Sequence, residues 1–298
     1  MGSPRVSILI PTLEAEGDLA RLLPALAQQE IPGGHELCCI DSDSRDLTRV
    51  LLRRAGARVE WIERSSFRHG PTRNRLAGMA RGELLVFLSQ DAVPDGADCL
   101  ATLLEPFQDE RVAGATARIL PHEDDDALTA RTVLGAAEAS GEREVYEEGH
   151  AGLRFNNVTS AIRASVLAEH PFPDVPFGED LAWARAALAA GHRVVHEPRS
   201  VVRHAHRYTP SQAFERYRVD AAFRRRELGE RVRPDLFSVA RGWAHELRED
   251  WRHVRIHGGW ADLLQAPNLR LAQVLGQYFG SRGWNPGRRS GAATEQYG

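Results

Sequence analysis

An α/β architecture, a mostly parallel Rossmann-like sheet flanked by helices and followed by a C-terminal helical appendage, is expected from three features of the chain. From the N-terminus, short β-branched runs alternate with stretches of helical periodicity, as right-handed crossover units require. Two of these runs end on acids: Glu36 to Ile40 before Asp41-Ser42-Asp43, and Leu84 to Leu88 before Ser89-Gln90-Asp91. Beyond residue 210, aromatic and leucine side chains recur at helical intervals among many arginines.

The elements follow in order. Val6 to Ile10 is β-branched and ended by Pro11, which reads as the first strand. Leu19, Leu22, Leu23 and Leu26 mark an amphipathic crossover helix, closed by Pro32-Gly33-Gly34. Glu36 to Ile40 is a second strand, Thr48 to Ala55 a helix, and Arg58 to Ile62 a third strand. Phe67 to Arg75 holds a Gly-Pro loop and leads a helix through Ala80. Leu84 to Leu88 is too short for a solitary helix but suits a strand buried on both faces, which Pro94, with no N–H for a ladder, is expected to end. Cys99 to Phe107 reads as helix, Val112 to Ala115 as strand, and Leu128 to Tyr146 as a helical segment without a clear apolar face. Phe155 to Arg163 is a strand rich in small polar residues. Glu179-Asp180 heads a helix containing Leu181, Trp183, Ala184, Ala187 and Leu188, and Val194 to His196 reads as an edge strand.

Composition narrows the function. At 298 residues with 42% hydrophobic and 27% charged content, the chain suits one large α/β domain plus an appendage. A formal net charge of −3 speaks against a nucleic-acid partner. All 38 basic residues are arginine, which favours bidentate contacts to phosphate and carboxylate. Three cysteines without framework or C-x-x-C spacing argue for reduced thiols. With no charged leader and no apolar run near the roughly 20 residues that span a bilayer, the expected location is the cytoplasm, with peripheral contact at the inner face of the membrane open.

Acids at the ends of parallel strands are placed where open α/β sheets bind ligands. Asp91 there is suited to hold a divalent metal against a phosphate. Asp41 and Asp43 are expected at the same sheet edge, and Arg73 at a helix start is expected to attract an anion. A solvated basic turn is the bland reading of that arginine stretch taken alone. Glu179 and Asp180 are either helix caps or cleft-facing acids. His204 and His206, two apart on a strand, point the same way and are candidate partners of Asp91.

Val6 to Thr12, Ile40 to Asp46, Arg73-Asn74, Phe87 to Pro94, Phe177 to Asp180 and His204, in this order, resemble an inverting, nucleotide-sugar-dependent glycosyltransferase of family two with the GT-A fold. The resemblance covers about residues 5–210. Phe67-x-His69-Gly70-x-x-Arg73-Asn74 with Leu88-x-Gln90-Asp91-Ala92-x-Pro94 is most similar to bacterial rhamnosyltransferases of surface-polysaccharide pathways. It implies a nucleoside pocket lined by Thr12, Glu14, Asp41 and Asp43, with Arg73, Gln90 and Asp91 on the rest of the donor. It further implies Mg²⁺ or Mn²⁺ on Asp91 with His204 or His206, and Asp180 as general base. Gln90 stands where the family usually places an acid. Asn157, Glu179 and Trp183 are the candidate acceptor contacts. The implied reaction moves rhamnose from dTDP-rhamnose to a hydroxyl of a glycan or lipid-linked glycan. A nucleotidyltransferase would need an early lysine or glycine-rich phosphate loop, and neither is present; an inactive binding protein on the same fold is the other alternative. The expected division is a transferase domain over 1–210, a helical appendage over 211–287 that packs, dimerises or meets a membrane, and a disordered tail over 288–298.

Overall fold

The apolar runs form the sheet. In the computed structural model, which describes residues 5–137, 141–150 and 152–283, β1 (Val6–Thr12), β2 (His35–Asp41), β3 (Arg58–Trp61) and β4 (Leu84–Leu88) stand in the order β3-β2-β1-β4. Every neighbouring pair among these four is parallel. The connections are α1 (Glu16–Ala27), α2 (Thr48–Arg54) and α3 (His69–Met79). Alternate residues of the central strands enter two apolar clusters, Ile8, Ile10, Val86 and Leu88 in one, Leu9, Leu85 and Phe87 in the other. That period of two is what a strand covered on both faces requires. The tail expected over 288–298 lies outside the described residues.

The second half of the sheet is mixed. β5 (Val93–Pro94), β6 (Val112–Leu120), β7 (Glu144–Tyr146), β8 (Thr159–Arg163) and β9 (Arg193–Arg203) extend the order as β4-β8-β6-β9-β5, with β7 also on β9. β8 runs antiparallel to both β4 and β6, and β9 antiparallel to β5 and β7. The helices are α4 (Cys99–Leu104), α5 (Ala127–Ala137), α6 (Ala164–Glu169), α7 (Glu179–Ala189), α8 (Pro210–Phe223), α9 (Leu236–His257) and α10 (Ala266–Ser281).

Three elements differ from the sequence expectations. Pro11 lies inside β1 rather than ending it, because the ladder with β4 stops at Leu9 and Pro11 faces a neighbour only in β2. The helix expected over 128–146 stops by Ala137, and Glu144–Tyr146 is strand β7, with the Tyr146 ring 1% exposed in the core. Val194 to His196 is not an edge strand; it belongs to an 11-residue strand with neighbours on both sides. Pro198 masks that continuity in the sequence, but pairing to β7 at 194–196 and to β5 at 202–203 holds both ends.

The chain divides into two units, one holding the sheet up to His204, the other holding the segment from Leu120 through α5 and the residues from Ala205 onward. In the second unit α8 and α10 approach closely: a Cβ on Gly276 would sit 2.3 Å from the Phe214 carbonyl oxygen, and one on Gly280 would sit 2.2 Å from that of Arg218. An ion cluster ties α5, α9 and α10 together. Arg270 donates from Nε and Nη2 to the two oxygens of Asp250 at 2.9 and 2.8 Å, and Arg131 of α5 donates to the same carboxylate and to Glu246. Arg270 and Asp250 are 2% and 0% exposed, and Thr132, Gln273 and the Leu128 carbonyl accept the remaining guanidinium protons. No helix among the described residues is long and apolar enough to cross a membrane.

Trp183 of α7 sits on β6 where Gly114 leaves room, and a Cβ there would lie 2.8 Å from the indole. Gly114→Ala is therefore expected to lower unfolding stability by about 1–3 kcal/mol in urea titrations, the usual penalty for overpacking.

Candidate active site

The C-terminal ends of β1, β2 and β4 are linked by side-chain hydrogen bonds. Thr12, last in β1, and Asp41, last in β2, face each other across the ladder, with Thr12 Oγ1 3.4 Å from Asp41 Oδ2. Asp41 accepts the Ser44 N–H at 3.1 Å and lies 3.4 Å from Arg49 Nε, so it shapes the loop after β2. Gln90, after β4, accepts the Leu13 N–H at 2.8 Å and donates to the Leu13 carbonyl and to Asp18. Ser89 then donates its N–H to Val158 at 2.9 Å, and the N–H of the adjoining Asn157 donates to Asp180 Oδ2 at 3.1 Å. One continuous edge thus carries Asp41, Thr12, Gln90, Asp91, Asn157 and Asp180.

Two acids on this edge hold unusual backbone. Glu14 and Asp43 have φ of 46° and 65°, the only positive values among described non-glycine residues. Such conformations are uncommon away from glycine and gather at binding sites. Glu14 accepts the Arg45 N–H and Asp43 accepts from Trp61 Nε1, which joins the loops after β1, β2 and β3. Of the four expected nucleoside contacts, Glu14 and Asp43 offer accessible surface. Thr12 and Asp41 are 2% and 0% exposed, with Asp41 holding the loop after β2. Trp61, half exposed beside Asp43, is an aromatic face that the strand pattern alone concealed.

Asp180 stands in the first turn of α7, preceded by Gly178 at φ 76°, a conformation that glycine takes without strain. Its Oδ1 accepts the Leu181 N–H at 2.7 Å, so backbone donors fix both oxygens. Burial pushes its carboxyl up to about 6, with the adjacent Glu179 charge adding to the rise. The two N–H donors and Arg73 act the other way and are outweighed.

The segment that carries Asp180 is held by α3. A Cβ on Gly70 would fall 2.2 Å from the Pro173 carbonyl oxygen, so only glycine lets that segment approach. Asn74 donates to the Phe172 carbonyl at 2.9 Å and accepts the Phe172 N–H at 3.0 Å. Arg73 Nη1 donates to Glu179 Oε1 at 2.7 Å, with both side chains about 95% buried. Arg73, expected at the diphosphate, has its guanidinium enclosed and paired with Glu179, and it anchors the start of α7. Glu179, Asn157 and Trp183, the expected acceptor contacts, are enclosed as well. They are 5%, 2% and 1% exposed, Trp183 lying against Phe155, Phe172 and Gly114. Gln90, expected on the donor, instead clamps the β1 loop with both ends of its amide.

Asp91 and His204 form the candidate metal centre. Asp91 Oδ1 lies 3.3 Å from His204 Nε2, and each offers one ligand atom within a 4.8 Å sphere. One carboxylate oxygen and one imidazole nitrogen suit a Mn²⁺- or Mg²⁺-class ion. His206 follows two residues after His204. Asp18 of α1, which reads in the sequence as a helix-opening acid, accepts from the Gln90 amide at 2.9 Å and lies near Asp91. Burial raises its pKa, the Gln90 amide opposes this, and the Asp91 carboxylate adds to the rise.

The sequence comparisons assign this fold and edge to a class. Residues 7–167 match the sequence model of "Glycosyl transferase family 2", and the chain belongs to that family. It is 31% identical over 221 residues to the O-antigen chain rhamnosyltransferase WbaN of Salmonella anatum, covering 72% of this chain and 70% of that protein. Among solved structures it resembles the mannosyltransferase PcManGT of Pyrobaculum calidifontis, solved with GDP-Man and Mn²⁺, with TM-score 0.61, 18% identity, and 95% and 87% of the two chains covered. It also resembles S. aureus TarS 1–349 in complex with UDP-GlcNAc, with TM-score 0.55, 16% identity, and 94% and 91% covered. These likenesses show the GT-A glycosyltransferase fold; the family membership makes the chain a glycosyltransferase.

Removing one partner of a buried ion pair leaves an uncompensated charge. Arg73→Ala is expected to cost about 3–5 kcal/mol in denaturant unfolding, and Arg73→Met with Glu179→Leu to recover most of it.

Proposed function

We propose that the enzyme transfers rhamnose, with inversion, from dTDP-rhamnose to a hydroxyl of a glycan or lipid-linked glycan. The observation that carries this reading is Asp180, with its oxygens fixed by the N–H groups of Asn157 and Leu181 and its pKa raised to about 6. A base poised near neutral pH both exists in its ionised form and accepts a proton readily. Asp180 takes the acceptor hydroxyl proton as that oxygen attacks the anomeric carbon, and the nucleoside diphosphate departs with the electron pair of the broken bond. The similarity to O-antigen rhamnosyltransferases supports rhamnose as the sugar. Glu14, Asp43 and Trp61, on the accessible loops after β1, β2 and β3, are the residues assigned to the nucleoside.

Asp91 and His204, with His206 the next imidazole along the chain, would hold Mg²⁺ or Mn²⁺. A divalent ion so bound supplies Lewis-acid stabilisation of the diphosphate leaving group. Arg73 supports the reaction at one remove, by keeping Glu179 and so the first turn of α7 in place. A lipid-linked acceptor would bring the enzyme to the inner face of a membrane.

The test is rhamnosyl transfer from dTDP-rhamnose to a lipid-linked oligosaccharide acceptor, with dTDP binding followed separately by thermal shift. Asp180→Asn is expected to keep the dTDP shift and lose transfer by roughly 10²- to 10⁴-fold, the usual contribution of a general base. Retained transfer would remove Asp180 from that role. Because the base must be ionised, kcat/KM should fall tenfold per unit as pH drops below about 6, and plateau above it. His204→Ala should raise the Mn²⁺ concentration needed for half-maximal transfer, and an unchanged requirement would exclude His204 as a ligand.

A further inference from the structure

The second unit contains a cavity of about 250 Å³ lined by Arg225, Arg231, Arg233, Arg282, Pro234 and Ser281. Its four arginines contrast with the other paired arginines of this unit. Arg131 and Arg270 share Asp250, Arg224 meets Asp220 and Glu230, Arg226 meets Glu227, and Arg252 meets Glu249. Among the described residues, the four that line the cavity reach no carboxylate within ion-pair distance. Arg233 donates from Nε to Gln277 and from its backbone N–H to Ser281 Oγ, while Arg282 donates to the Pro234 carbonyl and stacks 4.5 Å from the Tyr278 ring. The acids close to them in sequence are engaged with other groups, Glu227 and Glu230 with Arg226 and Arg224, and Asp235 at the N-terminus of α9, where it accepts the Ser238 N–H.

The backbone makes room for these cations. A Cβ on Gly242 would lie 2.5 Å from Arg233 Cζ, and one on Gly283 would lie 2.2 Å from Arg225 Nη1. Four like charges gathered around one open cavity repel each other, and an anion with several acceptor oxygens relieves that repulsion. Beside the cavity, directly after Pro234-Asp235, Leu236 and Phe237 are 67% and 75% exposed. Basic groups next to exposed apolar side chains at a helix start match the boundary of a bilayer, where phosphates lie above acyl chains.

We propose that this cavity receives the phosphate group of an anionic lipid at a membrane surface, with Leu236 and Phe237 entering the acyl boundary beside it. Each lining arginine donates to phosphate oxygens, and the two apolar side chains leave water. The site is separate from the donor edge of the first unit, so the proposal does not depend on the sugar transferred.

The full chain is tested by co-sedimentation with vesicles of phosphatidylglycerol in phosphatidylcholine, against phosphatidylcholine alone. Binding is expected only to the anionic vesicles and should weaken with salt. Arg225→Gln with Arg231→Gln should reduce partitioning roughly ten- to thirtyfold, and Leu236→Ser with Phe237→Ser should reduce it further than any neutral surface change. The dTDP-induced thermal shift, unchanged in both variants, verifies folding and keeps this outcome distinct from failure of the donor assignment. Equal binding by wild type and the arginine variant, or no binding to anionic vesicles, would overturn the proposal. A thermal shift with inorganic phosphate that the arginine variant abolishes, without vesicle binding, would overturn the lipid source and assign the cavity to a soluble anion.

Discussion

The buried contact between Arg73 and Glu179 is the interaction on which the candidate active site depends. Glu179 opens α7, and Asp180 is its neighbour, so whatever holds Glu179 also sets where the Asp180 carboxyl group stands. Two enclosed charges need good geometry to offset their lost hydration. A 2.7 Å hydrogen bond supplies part of it, and α3 supplies the rest through Gly70 and Asn74, which hold the Phe172–Pro173 backbone against the same helix. One helix thereby fixes the segment leading to Asp180 at three points. The negative charge of Glu179 has a second effect, since it adds to the burial that lifts the Asp180 carboxyl towards neutrality.

Hydrogen bonding across strand ends performs the corresponding task for the donor side. The Gln90 amide both donates and accepts on Leu13, which a carboxylate would not do. The loop after β1 is secured to the end of β4 by this amide, and Asp91 stands next to it beside His204. Asp41 is likewise turned to structure, holding the loop that presents Asp43. Buried acids and amides shape this edge, and the accessible ones, Glu14 and Asp43, stand on strained backbone.

The second unit uses arginine in two opposed ways. Arg131 and Arg270 are neutralised by Asp250 and Glu246 in a cluster that ties three helices, where a missing partner would leave a charge in a dry interior. Arg225, Arg231, Arg233 and Arg282 line an open cavity with neutral partners only, among the described residues. Water tolerates the second arrangement, and an external anion improves it. The residue type is the same, so the difference lies in which carboxylates the packing brings near.

Periodicity and strand-ending acids were enough to read the parallel half of the sheet, since a five-residue apolar run buried on both faces has few other solutions. They also placed Asp41, Asp91 and Asp180 at strand ends and a helix start, where backbone geometry puts ligand-facing groups. The ordered motifs carried the family. Pairing partners were beyond reach: β7 and the interior position of β9 depend on strands distant in sequence, and Pro198 broke the local signal. Roles within motifs were beyond reach too. Arg73, Asn157, Glu179 and Trp183 have the chemistry of ligand contacts, and only tertiary packing turned them inward, because burial is decided by what lies opposite a side chain. The four-arginine cavity is another product of packing, assembled from segments at 225, 231–233 and 282 that carry no motif. Residue type and spacing determined which chemistry this chain could support, while the tertiary structure decided which side chains meet the ligand and which hold the others in place.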